Sequence, residues 1–157
     1  MKTLSKPESH INEQIFLCNI FHSRVNLFRK FNLIYVVDDD DIYVFTALRV
    51  LESIGLTEHV QVFDNGKKAL DQLLLNYEKG DVLPDLILLD LNMPIWDGWF
   101  FLTEIEKTVF VKKIDIMIVS SSINTEDITR ISENKLVKGF ISKPLSIDVM
   151  KELFERK

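Results

Sequence analysis

A chain of 157 residues, 46% hydrophobic and 27% charged with only five Gly and four Pro, suits one globular domain with room for an extension. The net charge of −5 divides unevenly: residues 1–32 carry five Lys/Arg and two Glu, a local +3, and residues 33–157 carry −8, so the acidic body argues against nucleic acid as a partner. One cysteine, Cys18, excludes an intrachain disulfide, three histidines lack zinc-ligand spacing, and no apolar run approaches the ~18 residues of a membrane span, which leaves a reducing, cytoplasmic setting as the expectation.

Residues 1–32 read as an N-terminal extension. Ile11, Ile15, Leu17, Phe21, Phe28 and Phe31 are loosely spaced, and Ser5-Lys6-Pro7 reads as a flexible start. A weakly ordered segment is the favoured reading, and an amphipathic docking helix over 11–31 the alternative. The domain proper is expected over 33–157. Leu33-Ile34-Tyr35-Val36-Val37 is a short apolar run that reads as a buried strand. Four aspartates follow, Asp38 to Asp41. A helix is expected near 42–54, with Ala47, Leu48, Leu51 and Ile54 on one face and Gly55 as its stop. His59 to Phe63 reads as a second strand, Asp64-Asn65-Gly66 as a turn. A helix near 67–78 would bury Leu70, Leu73, Leu74 and Tyr77.

The loop 81–85 precedes a third strand, 86–89, which runs into Asp90. Asp97-Gly98 reads as a turn and helix cap, with Trp99, Leu102 and Ile105 marking the next helix. Trp99 and one phenylalanine of the Trp96, Trp99, Phe100, Phe101 cluster are expected in the core. A fourth strand spans 114–119, and a helix over 124–135 has only Ile128 and Ile131 as apolar anchors. Phe140-Ile141 reads as a short fifth strand. Ile147, Met150 and Leu153 mark a last helix. Five strands alternating with five helices imply a parallel sheet covered on both faces, and right-handed crossovers make it a doubly wound α/β sandwich.

In such sheets ligands gather at the carboxyl ends of the strands beside the switch point. For the order 2-1-3-4-5 that brings Asp38, Asp39 and Asp90 around one pocket. Carboxylates crowded this way repel unless a cation compensates them. Oxygen ligands without His or Cys favour a hard cation, Mg²⁺. The fourth strand ends in Ser120-Ser121-Ser122 and the fifth in Lys143-Pro144. A hydroxyl, an ammonium and a metal facing a carboxylate suit a phosphoryl group. Asp40 and Asp41 are expected to be solvated or to cap the first helix.

VVDDDD after the first strand, LILLDLNMPIWDG around the third, VSSS ending the fourth and GFISKPL at the fifth stand in order. Over roughly residues 33–156 the chain resembles the receiver domains of two-component response regulators. The resemblance implies the flavodoxin-like fold, with Asp90 as phosphoacceptor and Mg²⁺ held by Asp38, Asp39, Asp90 and the backbone carbonyl of Asn92. It implies that Lys143, before a cis Pro144, pairs with the phosphoryl group. Ser120 would be the switch hydroxyl and Phe140 the switch aromatic, whose ring packs inward when Ser120 turns to the phosphoryl group. Asn92 and Ser122 fall at positions that tune dephosphorylation in similar proteins. The phosphodonor would be a histidine kinase or phosphotransfer protein. An output partner would bind over 124–151.

The chain ends soon after the fifth helix, which reads as a stand-alone receiver. It would be a phosphoacceptor signalling protein, with self-catalysed transfer and dephosphorylation, and not an enzyme in the ordinary sense. Leu136 and Val137 depart from the small residues common in similar proteins there, so a local backbone difference is expected at that point. A pseudo-receiver that only binds partners is the main rival, but all the site residues are present. A phosphatase of the haloacid-dehalogenase type would need a second Asp where Asn92 stands. A dinucleotide module would need a Gly-rich first turn, and 38–41 has no glycine.

Overall fold

A computed structural model describes residues 31–122 and 124–154. The helix considered over 11–31 therefore lies outside the described residues, apart from Phe31. The side chain of Leu153 also lies outside them.

The chain order is β1 (Ile34–Val37), α1 (Asp41–Ser53), β2 (Val60–Phe63), α2 (Gly66–Lys79), β3 (Leu86–Leu89), α3 (Gly98–Ile105), a 3-10 turn (Val111–Lys113), β4 (Asp115–Ser120), α4 (Thr125–Glu133), β5 (Val137–Ser142) and α5 (Ile147–Phe154). The five strands form one sheet in the order β2-β1-β3-β4-β5, every neighbouring pair parallel. This is the doubly wound fold that the alternating pattern implies, in the flavodoxin-like order that the resemblance implies.

Strand residues alternate between two apolar layers, because successive side chains point to opposite faces. Tyr35, Val37, Ile87, Leu89, Ile116 and Ile118 pack with Ala69, Leu73, Phe101, Ile105 and Ile131 of α2, α3 and α4. Ile34, Val36, Leu86, Leu88, Met117 and Val119 pack with Ala47 and Leu51 of α1 and with Val149 and Met150 of α5. Both faces are covered, so β1 and β3 read as unbroken apolar runs. Phe31 joins the second layer and bridges to Thr57.

Several expectations are corrected. Leu74 and Tyr77 have helical spacing but are exposed. The buried positions of α2 are Gly66, Ala69, Leu70, Leu73 and Asn76. Asn76 is tolerated inside because its amide donates to the Tyr35 hydroxyl at 3.2 Å and to the Val82 carbonyl at 3.1 Å. Ile147 is exposed, and Val149 takes the inward place in α5 with Met150. Trp99 is only partly buried, whereas Phe101 is fully in the core.

The fifth strand is longer than expected. Val137 pairs with Ile116 and Gly139 with Met117, so the register shifts there and Lys138 has no opposite number. That irregularity coincides with the unusual Leu136-Val137 stretch.

Candidate functional site

Parallel register brings the strand ends together. Val37 lies opposite Leu89, and the Asp90 N–H donates to the Val37 carbonyl at 2.9 Å. The Asp38 N–H donates to the Phe63 carbonyl at 2.9 Å, and the Lys143 N–H to the Ser120 carbonyl at 2.9 Å. Asp38, Asp90, Ser120 and Lys143 thus lie along one sheet edge.

Carboxylate oxygens of Asp38, Asp39 and Asp90 lie within 4.8 Å of one another. Asp38 and Asp90 are 3% and 5% exposed, while Asp39 is exposed. The Lys143 ammonium stands 2.7 Å from Asp38 Oδ2 and 3.4 Å from Asp90 Oδ2. The Lys143-Pro144 peptide is cis. Asp38 Oδ1 accepts from the Asp40 N–H at 3.0 Å. Burial pushes the Asp38 carboxyl up to about 6, against the opposing pull of Lys143 and the Asp40 N–H. Asp90 Oδ1 is buried with no hydrogen-bond partner among the described residues.

Asp40 caps α1, accepting from the N–H groups of Ile42 and Tyr43. Asp40 and Asp41 are both exposed and belong to the helix start, not to the cluster. Asp97 caps α3 by accepting from Phe100 N–H at 2.8 Å. Gly98 is needed at the next position. A Cβ there would lie 2.4 Å from the Asp90 carbonyl oxygen and 2.9 Å from Leu91 Cα.

Ser120 is fully buried, and its hydroxyl donates to the Ser122 carbonyl at 3.3 Å. The Asn92 amide donates to Ser120 Oγ at 3.0 Å and lies 3.4 Å from Ser122 Oγ. Phe140 is already packed inside the core, so no inward swing is needed to bury it.

Two features escape a reading of the sequence. Tyr43 lies under Lys143, its ring centroid 4.3 Å from the ammonium. Only its place in the first turn after the acidic run hints at this. Ile95 adopts φ 75° in the loop after β3 and is 92% exposed. That conformation is strained for a β-branched residue, and such strain clusters at functional sites.

The donor set fits a hard divalent cation. Three carboxylates converge, one ammonium offsets only part of their charge, and a buried oxygen of Asp90 lacks a partner. No described helix is long and apolar enough to cross a membrane.

The family described as response regulator receiver domain matches residues 34–155. The probable methanogenesis regulatory protein FilR2 of Methanothrix harundinacea is 31% identical over 123 residues, 78% of this chain and 79% of that protein. The match to the sensor histidine kinase CheAY of Helicobacter pylori, 27% identical, covers 79% of this chain but only 15% of that protein. A two-component response regulator from Cytophaga hutchinsonii superposes with a TM-score of 0.73 at 26% identity, over 81% of this chain and 96% of that one. The Mn²⁺-bound form of response regulator Rcp1 gives 0.62 at 26% identity, over 79% and 90%. The family match spans most of the chain, and the acidic cluster lies where the fold gathers its ligands; the chain belongs to the response regulator receiver domain family.

Proposed function

We propose that this protein accepts a phosphoryl group on Asp90 from the phosphohistidine of a histidine kinase or phosphotransfer protein, in a Mg²⁺-dependent step. The observation that carries the reading is the buried Asp90 carboxylate, with Oδ2 3.4 Å from the Lys143 ammonium and Oδ1 unpartnered. A carboxylate is a weak nucleophile towards phosphorus while its surroundings are anionic. Asp38, Asp39, Asp90 and the Asn92 carbonyl would hold Mg²⁺, which when bound neutralises charge around the acceptor. Rcp1 in its Mn²⁺-bound form supports a divalent ion here.

Asp90 attacks the phosphorus, an O–P bond forms and the P–N bond to the donor imidazole breaks. The bonding pair leaves with the imidazole, which takes up a proton from solvent. Lys143 pairs with the equatorial oxygens as charge spreads over them. Ser120 then exchanges the Ser122 carbonyl for a phosphoryl oxygen. Because Phe140 is already inside, the adjustable parts are the Ser120 hydroxyl and α4, whose only fully buried side chain is Ile131.

The output surface we assign is α4, β5 and α5, presenting Glu126, Arg130, Ser142 and Lys151. The setting is the cytoplasm, with a protein as downstream partner. The presence of all the site residues favours a phosphorylated receiver over a pseudo-receiver. Intact-mass measurement with a small phosphodonor and Mg²⁺ should show one added phosphoryl group. Asp90→Asn should show none. Equal labelling of that variant would reject the assignment.

A further inference from the structure

Tyr43 has no place in the phosphoacceptor chemistry set out above, yet it touches that site's cation. It stands in the first turn of α1, fixed there by its N–H donating to the Asp40 cap at 3.1 Å. Its side chain is buried, 6% exposed, in the apolar layer beneath α1 and α5. The Lys143 ammonium lies 4.3 Å from its ring centroid, within the range of a cation–π contact. The same ammonium contacts Asp38 at 2.7 Å and Asp90 at 3.4 Å.

A lysine is a point charge on a flexible stem, so its position must be set by what surrounds it. The two carboxylates alone make an unequal pair of anchors, and the nearer one is Asp38. A cation bound by those carboxylates would compete with the ammonium for the same oxygens. The ring takes no part in that competition, so its hold on the ammonium persists whatever else the carboxylates bind. Nor does the ring owe its position to its hydroxyl, because Tyr43 Oη is buried with no hydrogen-bond partner among the described residues. What the site uses is the aromatic face.

We propose that Tyr43 is a positioning residue for phosphoryl uptake, its π face holding the Lys143 ammonium in place beside Asp38 and Asp90. This rests on the reading of Asp90 as phosphoacceptor. Removing the aromatic face frees the ammonium and slows uptake, while the acceptor and the acidic cluster are untouched. The size expected of a desolvated cation–π contact corresponds to a rate loss of roughly 5- to 30-fold.

The test is a double-mutant cycle on the full chain, with phosphoramidate as donor, Mg²⁺ present, and initial rates read by intact mass. Tyr43→Leu should slow uptake by that factor in the wild-type background and by less than about twofold when Lys143 is already alanine. Tyr43→Phe restores the aromatic face and should recover the rate to within about threefold. Should the leucine variant not fold, Tyr43→Met, which fills similar volume without a π face, carries the same expectation. Equal slowing in both Lys143 backgrounds would make Tyr43 merely structural and overturn the proposal. So would an unchanged rate for Tyr43→Leu, or a loss in Tyr43→Phe equal to that in Tyr43→Leu. Failure of the unsubstituted protein to take up phosphoryl at all is a separate result: it removes the phosphoacceptor reading first and this inference with it.

Discussion

Gly98→Ala should injure the site without touching any of its side chains. The new Cβ would sit 2.4 Å from the Asp90 carbonyl oxygen, 2.9 Å from Leu91 Cα and 3.1 Å from the Asp90 carbonyl carbon. Ordinary contact begins near 3.4 Å, so the loop after Asp90 or the N-terminus of α3 must move by about 1 Å. All three obstructing atoms are backbone and cannot rotate away. Overpacking of this kind costs about 1–3 kcal/mol. Restricting the unfolded chain returns roughly 0.4–1 kcal/mol. The net loss is about 1–2 kcal/mol, or a fall in Tm of about 4–8 °C for a domain of this size. Chemistry should suffer more than stability, because a displacement of about 1 Å at a reacting group can cost on the order of 100-fold in rate. Thermal unfolding and phosphoryl uptake from a small donor, measured side by side, check both halves. A variant with unchanged Tm and unchanged uptake would refute the claim that Gly98 sets the position of Asp90.

In the metal-free protein, Asp38 carries a carboxyl raised from 3.8 to about 6. The folded state therefore favours the protonated form, and the stability this adds is present in full below about pH 4 and lost as pH rises through about 6. The ceiling is about 3 kcal/mol, and Asp38→Asn should flatten that slope in urea titrations across the range. Relief of repulsion should make metal-free Asp39→Asn or Asp90→Asn more stable by roughly 0.5–2 kcal/mol, and Mg²⁺ should raise the Tm of the unsubstituted protein more than that of Asp39→Asn. Ile95→Asn should raise stability by about 0.5–1 kcal/mol in urea unfolding, since asparagine tolerates a left-handed backbone and the exposed isoleucine packs little. Asn76→Ala strips a donor from the Tyr35 hydroxyl and the Val82 carbonyl and should cost about 1–3 kcal/mol by the same measurement.

The strands that carry the acidic cluster were legible because burial on both faces leaves a plain mark. Ile34–Val37 and Leu86–Leu89 are unbroken apolar runs, each stopped by an aspartate. That the sheet is doubly wound followed from right-handed crossovers, whereas the order 2-1-3-4-5 is the one shared with the receiver domains that the motifs resemble. What failed was spacing on α2. Leu74 and Tyr77 fit a helical stripe, but that stripe is wider than the core that covers it, and Asn76 takes an inward place instead. Its partner Tyr35 is 41 residues away, so no local pattern announces it. Tyr43 was missed for the same reason, its meaning resting on Lys143 at the other end of the sheet edge. The fifth strand was found only at Phe140-Ile141 because the register shift near Lys138 breaks the alternation that marks a strand.

In the proposed mechanism Asp90 itself carries the phosphoryl group. An aspartyl phosphate is reduced by borohydride to homoserine, which marks the residue permanently. The protein would be incubated with a small phosphodonor and Mg²⁺, reduced, digested and sequenced by mass spectrometry. Homoserine at position 90 alone, absent when Mg²⁺ is chelated, is the predicted result. Homoserine at 38 or 39, or a mass increase that survives Asp90→Asn, would contradict the account.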